Sequence, residues 1–434
     1  MRKPILIDGA RQVGKSWLIG KSFGPKEFRK VHWLDFREEP RLADLFAESL
    51  APEAIIEKAE IELNDNIDLA HDLIFFDEIG ECQRAVDSLK YFAERLPEAF
   101  VCATGSNIGL LRSFPVGKVE KLDLFPLCFE EFLMAAGRTA LLAAYRAHHS
   151  QSGGQSCATA TTIANRRTAT AHRNLWALLL DYYFVGGMPE AVAAWFEDAS
   201  LMSRIETVRR IHRNLLDGYR RDFGKYAGKL DAQHIERVFD SVPVQLAAHR
   251  ESSVQRYRFK GVVPQKQRYR DLVGPIDWLE HARLVWKCFP IEGRPQSPLA
   301  ALAKPNRFRL YLFDVGLLGH MLGMTYAEQH DQRVTYKGYV AENFVQTELA
   351  AHVGHPSFGW YEARAEIEFL HRDRGGRIVP IEVKSGSRTQ ARSLRSYIDR
   401  YSPRRAIKLT GSAGGSFAQI ETWPLYDAQF LAGL

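Results

Sequence analysis

The chain has 434 residues, 46% hydrophobic and 25% charged, with a formal net charge of +6; this is the make-up of a globular protein of several domains, and it permits a nucleic-acid partner without demanding one. No run of about eighteen apolar residues occurs, which excludes a membrane-spanning helix, and the apolar stretch Ile5–Ile7 is far too short for a signal peptide. Five cysteines (Cys82, Cys102, Cys128, Cys157, Cys288), none in a CxxC pair, fit neither a zinc site nor a disulfide framework and predict buried, inert thiols in a reducing cytoplasm.

The first element is the apolar Pro4-Ile5-Leu6-Ile7, expected as a short buried strand. It runs straight into Gly9-Ala10-Arg11-Gln12-Val13-Gly14-Lys15-Ser16, which satisfies G-x-x-x-x-G-K-[ST] at every fixed position. Glycines let the backbone curl so that successive N–H groups point at phosphate oxygens. Lys15 is expected to reach the β- and γ-phosphates and the Ser16 hydroxyl to coordinate Mg2+. From Lys15 onward the pattern predicts a helix whose N-terminus meets the anion. Strand, loop and helix together predict a site for ATP with Mg2+.

Leu73-Ile74-Phe75-Phe76-Asp77-Glu78 follows, an apolar run ending in two carboxylates. It reads as a buried strand that delivers Asp77 to the metal shell and Glu78 to a water able to attack the γ-phosphate. Phe100 to Asn107 (FVCATGSN) is another apolar strand ending in small polar residues. Ser106 or Asn107 is a candidate γ-phosphate sensor; an Asx-type turn closing the strand is the other reading.

Between Glu131 and Asp181 there is no acidic residue, while Arg138, Arg146, Arg166, Arg167 and Arg173 are scattered through the gap. The stretch from about Arg138 to Arg173 is rich in Ser, Thr, Ala and Gly and lacks periodicity. It predicts a flexible surface insertion, with a nucleic-acid-binding tail as the sharper alternative. Leu175–Phe184 is apolar enough for a buried helix, ended by Gly186-Gly187 with Pro189 beyond. Ser203–Tyr219 reads as a basic amphipathic helix with Ile205, Val208, Ile211, Leu215 and Leu216 on one face. Arg112, Arg220 and Arg221 are candidates for an arginine that reaches the γ-phosphate; a solvated helix face is the plainer reading of that basic run.

From Ala232 to Pro290, helices followed by "VWKCFPI" outline a winged helix. Near its second helix Arg256, Arg258, Lys260, Lys266, Arg268 and Arg270 interleave with Tyr257, Phe259 and Tyr269. That alternation suits phosphate contacts with stacking support on DNA; a winged helix kept for protein packing is the alternative. Further on, Lys337–Leu349 reads as a helix carrying Glu342, and Glu366–Leu370 alternates as a strand. "IVPIEVKSG" is an apolar strand whose Glu382 and Lys384, two apart, point to one face. Glu342, Glu368 and Glu382 would hold Mg2+ against a scissile phosphate while Lys384 neutralises charge or positions water. Glu366 shares a strand face with Glu368 and competes with it.

The stretches "GARQVGKS", "LIFFDEI", "ATGSNIGLL", "FPVGKVEKLDLFPLCFEEFL", "YFVGGMPEAV", "YRRDFGKYA", "FRLYLFDVGLL", "GYVAENFVQTEL" and "IVPIEVKSG" together resemble a family of bacterial and archaeal AAA-type ATPases. Members carry a C-terminal uncharacterised domain of restriction-endonuclease-like, PD-(D/E)xK-type pattern. The resemblance implies an α/β P-loop NTPase core of parallel strands at 1–137, a basic low-complexity insertion at 138–174 and a helical lid at 175–230. A winged-helix-like segment at 231–304 and a nuclease-like α/β domain at 305–434 complete it. It favours Glu368 where relatives usually have Asp, one methylene shorter, a change that would displace a metal ligand. Relatives also usually carry some tens of residues ahead of the phosphate-loop strand, so a helix flanking the nucleotide's base is expected to be missing, at a cost in affinity. The function expected is ATP binding and hydrolysis, coupled to DNA binding or processing. The alternative is a nucleotide-dependent protein-binding switch whose nuclease-like domain is catalytically silent. No membrane partner is expected.

Overall fold

In the computed structural model the described residues are 2–106, 108, 113–150, 168–248, 256–331, 338–363, 365–386, 391–417 and 419–434. They form two compact units: Met1–Phe125 with His281–Arg283, and Pro126–Glu280 with Leu284–Leu434.

The first unit is built on five parallel strands, β1 (Ile5–Asp8), β2 (Lys30–Asp35), β3 (Asp72–Asp77), β4 (Phe100–Gly105) and β5 (Glu120–Asp123), in the order β2-β3-β4-β1-β5. A parallel sheet is covered on both faces, so its central strands read as continuous apolar runs rather than alternating ones. β3 obeys this: every residue from Asp72 to Asp77 is buried. Phe76 points to one face, where its ring meets Phe36, Phe46 and Phe92 at centroid distances of 5.8–6.0 Å. Phe75 points to the other, among Ile7, Ile19, Leu73 and Cys102. The helix Gln83–Arg95 closes the first face with Ala85, Val86, Leu89, Phe92 and Ala93, a helical spacing that puts one stripe on the core. Because β4 lies between β1 and β3, the C-terminal ends of all three stand side by side, where α/β sheets hold their ligands.

The second unit contains a mixed eight-stranded sheet in the order β12-β13-β11-β10-β9-β8-β6-β7. Its strands are β6 (Val285–Glu292), β7 (Arg309–Leu312), β8 (Ser357–Glu362), β9 (Ala365–Arg372), β10 (Ile378–Val383), β11 (Ala406–Thr410), β12 (Gly415–Phe417) and β13 (Ile420–Pro424). The helix Gly338–His352 packs on it, with Val340, Ala341, Phe344, Val345 and Leu349 buried.

Several expectations change here. The "VWKCFPI" strand is β6, and it pairs antiparallel with β7 and parallel with β8. The expected wing is therefore part of the large sheet rather than a separate hairpin, and the 304/305 boundary falls between two paired strands. The backbone groups on both edges of β6 find strand partners there instead of solvent.

The span Leu201–Ala247 is helical throughout, yet Phe223 and Phe239 rings lie 5.7 Å apart and Arg220 is 3.0 Å from Asp240. On a straight helix, sixteen residues would separate those rings by about 24 Å, so the helix doubles back between them. The expected flexible insertion also begins in a helix, Thr139–Ser150. Tyr145 anchors it by burial and by donating to the Tyr426 carbonyl at 2.8 Å. Arg146 is taken up by Glu130 at 2.6 Å. Residues 168–173 open the next helix, Ala169–Val185, and 151–167, with Arg166, Arg167 and Cys157, lie outside the described residues.

Replacing Phe76 with alanine should destabilise the first unit by about 3–5 kcal/mol, since a fully buried aromatic ring is lost from a closed aromatic cluster. Urea unfolding followed by circular dichroism checks this; a loss under 1 kcal/mol (about a fivefold change in the folding equilibrium) would mean that the cluster repacks.

Candidate functional site

The phosphate loop turns where its sequence requires. Gly14 has φ 93°, and Gln12 also takes a positive φ of 64°, so the backbone curls within one short loop. A side chain at Gly9 would meet the Leu124 carbonyl oxygen at 2.3 Å, which leaves no room for any Cβ. Val13 and Ala10 are buried beneath the loop, and the helix begins at Lys15.

The Lys15 ammonium is held between the loop and the end of β4. It donates to the Gly9 and Ala10 carbonyls, each at 2.9 Å, and to Ser106 Oγ at 3.1 Å. Burial lowers its pKa, with Glu78, Asp8 and Asp77 working the other way. An entering phosphate would exchange those neutral acceptors for charged oxygens, which make the stronger hydrogen bonds.

Asp77, 1% exposed, is the centre of the second half of the site. Ser16 Oγ donates to its Oδ1 at 2.9 Å, Thr104 donates to the same oxygen, and Trp33 Nε1 donates to Oδ2 at 3.1 Å. Ser16 and Asp77 thus place two hard oxygen donors side by side, a donor set that fits Mg2+. Glu78 follows in a left-handed conformation, φ 49° and ψ 43°. That region costs an L-residue about 1–2 kcal/mol, and here it turns the carboxyl toward β4, where Ser106 Oγ lies 3.4 Å from Glu78 Oε1. Burial raises the Glu78 pKa, against the pull of Lys15 and Arg11.

The site therefore brings Gly9 to Ser16, Asp77, Glu78 and Ser106 together. Asn107 and Arg112 lie outside the described residues. Thr104 and Trp33 were not among the sequence candidates. Thr104 was signalled only weakly, as the last polar side chain of an apolar strand, and nothing in the sequence marked Trp33. Arg220 is engaged with Asp240 at 3.0 Å and Glu236 at 3.6 Å, while Arg221 is exposed.

In the second unit Glu342, Glu368, Glu382 and Lys384 also meet. Lys384 Nζ lies 3.4 Å from Glu368 Oε1 and 3.4 Å from Glu382 Oε1, and Glu368 Oε2 accepts from the Val383 N–H at 3.0 Å. Glu342 accepts from Tyr311 at 3.3 Å and faces the Arg309 guanidinium at 3.6 Å. Glu366 turns to Arg309, which separates it from Glu368. Burial, then the charge of Glu368, push Glu342 and Glu382 up to about 7. Burial opposes the Lys384 ammonium, but the surrounding carboxylates hold its pKa above the ordinary lysine value.

Glu382 Oε2 is buried with no hydrogen-bond partner, while its other oxygen faces Lys384. Lys384 and Arg309 stand among these carboxylates, so the residues expected along the chain do meet, as a network of ion pairs.

Residues 1–133 match the family model of an AAA domain. The N-terminal unit has the AAA-type P-loop fold. Residues 177–328 and 337–423 match two further models, each described only as a domain of unknown function. No curated protein matches the chain in sequence.

Among solved structures, PCH-2 of C. elegans is similar at 12% identity and a TM-score of 0.28, over 48% of this chain and 60% of that one. A signal-transduction ATPase with numerous domains and a tetratricopeptide-repeat sensor, from Pyrococcus horikoshii, is similar at 12% identity and a TM-score of 0.23, over 81% and 43%. Drosophila ORC bound to DNA is similar at 14% identity and a TM-score of 0.27, over 75% and 91%. The chain thus spans less than two thirds of the length of the first two, and likeness this distant carries no functional reading. Among the described residues, no helix is long and apolar enough to cross a membrane.

The raised carboxyls of the second unit set a pH dependence. A carboxyl whose folded pKa lies above its unfolded value contributes stability that is present below about 4.5 and lost as pH rises through about 7. The urea midpoint should therefore fall as pH rises from about 5 to 7 and level off above that. Glu382→Gln should flatten that fall and gain on the order of 1 kcal/mol at pH 8; an unchanged pH profile in the variant would contradict it.

Proposed function

We propose that the chain binds ATP at Gly9 to Ser16, hydrolyses it, and couples turnover to DNA binding. The observation that carries this reading is the buried Asp77 carboxylate, shared by Ser16 and Thr104, beside a Lys15 ammonium poised between the loop and β4. In the reaction Lys15 exchanges its carbonyl acceptors for phosphate oxygens. Ser16 and Asp77 would hold Mg2+, which supplies charge neutralisation on the phosphates. Glu78, kept basic enough by burial to accept a proton at its carboxylate, orients a water against the γ-phosphorus and takes its proton as the bond to the bridging oxygen breaks. Ser106, within reach of both Lys15 and Glu78, is the γ-phosphate sensor of this reading.

Support for DNA as the partner comes from the segment 256–270. Tyr257 is 5% exposed and stacks on Phe308, and Phe259 packs against Phe308 and Tyr269, so these aromatics face the protein interior. The alternating Arg256, Arg258 and Lys260, with Arg268 and Arg270, are exposed. This arrangement suits backbone phosphates rather than stacked bases. The ion-paired cluster around Lys384 favours a binding role over cleavage for the eight-stranded sheet.

Steady-state ATP turnover with Mg2+, with and without duplex DNA, tests the reading. Lys15→Ala should abolish turnover. Glu78→Gln should lower it roughly 10²- to 10⁴-fold while ATP still binds. DNA should stimulate turnover, and its affinity should fall with salt, less steeply in an Arg256→Ala/Arg258→Ala variant. Lys15-dependent turnover indifferent to DNA would replace DNA with a protein partner. Absence of Lys15-dependent turnover would refute hydrolysis.

A further inference from the structure

Among the described residues, the donor atoms of Cys128, Glu348 and His352 lie within 4.8 Å of one another. Glu348 and His352 stand four residues apart near the end of the helix Gly338–His352, a spacing that puts both on one face. Cys128 comes from elsewhere in the second unit, immediately ahead of the helix Phe129–Ala135. Against the expectation from cysteine spacing of inert thiols that fit no zinc site, we propose that these three side chains of the second unit form a zinc site.

Glu348 supplies the second observation. Its side chain is 1% exposed, and Oε1 is committed to the Phe129 N–H at 3.0 Å. Oε2 is buried and makes no hydrogen bond of good geometry, being ion-paired with His352 Nε2 at 3.5 Å. A buried carboxylate oxygen held only by a long, poorly aligned contact is costly, and a coordinated cation would satisfy it better.

The chemistry of the set is specific. Thiolate, imidazole and carboxylate together suit zinc and exclude Mg2+ or Ca2+ as the preferred ion. Zinc bonds to S, N and O run at about 2.0–2.3 Å, which spaces tetrahedral donors roughly 3.3–3.8 Å apart. Donors within 4.8 Å of one another need at most about 1–1.5 Å of closure to reach that spacing, and His352, its side chain 32% exposed, is the most adjustable of the three. The surroundings are negative: Glu348 first, then Glu131 and Glu130, hold the His352 imidazole above its ordinary pKa. Burial and the charges of Glu348 and Glu131 keep Cys128 a thiol, so zinc would enter with release of a proton from it. A fourth position remains for water. Bound zinc would tie the helix Gly338–His352 to the start of Phe129–Ala135.

The test is titration of the chelator-stripped full chain with Co2+, then Zn2+. The expected result is one ion per chain, with a thiolate-to-cobalt charge-transfer band in the near ultraviolet that zinc displaces. Cobalt at the phosphate loop has no thiolate and gives no such band. Cys128→Ser should abolish the band, and His352→Ala should weaken zinc binding roughly 10- to 100-fold, each with far-ultraviolet circular dichroism unchanged. No band, a band that survives Cys128→Ser, or zinc affinity unaltered by His352→Ala would overturn the proposal. It would leave Glu348 and His352 as an ordinary helix ion pair.

Discussion

One buried carboxylate organises the nucleotide site. Asp77 sits at the end of a strand that is apolar on both faces, and an isolated charge there would be prohibitively desolvated. It is tolerated because three donors from three different elements converge on it: Ser16 from the phosphate-loop helix, Thr104 from β4 and Trp33 from β2. The same bonds that offset its burial fix the spacing of loop and sheet. The parallel strand order makes this possible, because β4 stands between β1 and β3 and can bond to both sides. Thr104 faces Asp77, and Ser106, two residues on, faces Lys15.

The second unit handles charge differently. Around Lys384, carboxylates and cations come from the Gly338–His352 helix and from β7, β9 and β10, and each charge finds an opposite one. Such a network ties strands and helix together, but burial and crowded carboxylates raise Glu342 and Glu382, so relieving one of them should stabilise the unit at alkaline pH.

The legible parts of the sequence were those whose meaning is local. The phosphate loop is eight consecutive residues, and Asp77-Glu78 follows directly on an apolar run, so both could be read without knowing the fold. Partners supplied across the sheet were not legible. Trp33 and Thr104 reach Asp77 over 44 and 27 residues, and strand adjacency alone brings them there. The wing was misjudged for the same reason: β6 has the composition of a hairpin strand, but its pairing with β8 is non-local. In the basic-aromatic segment, an alternation that also suits stacking on bases reflects residues pointing in and out. Tyr145 shows the limit of composition. One buried ring bonded to Tyr426, 281 residues away, orders a helix in a stretch with no periodicity of its own.

The most direct measurement is calorimetric titration of ATP into the chain with and without Mg2+, for the wild type and for Asp77→Asn. If Asp77 organises the metal half of the site, Mg2+ should tighten ATP binding to the wild type. The variant should keep its Mg2+-free affinity and lose the enhancement. An Asp77→Asn variant that binds ATP with Mg2+ as tightly as the wild type would contradict the central role given to this carboxylate.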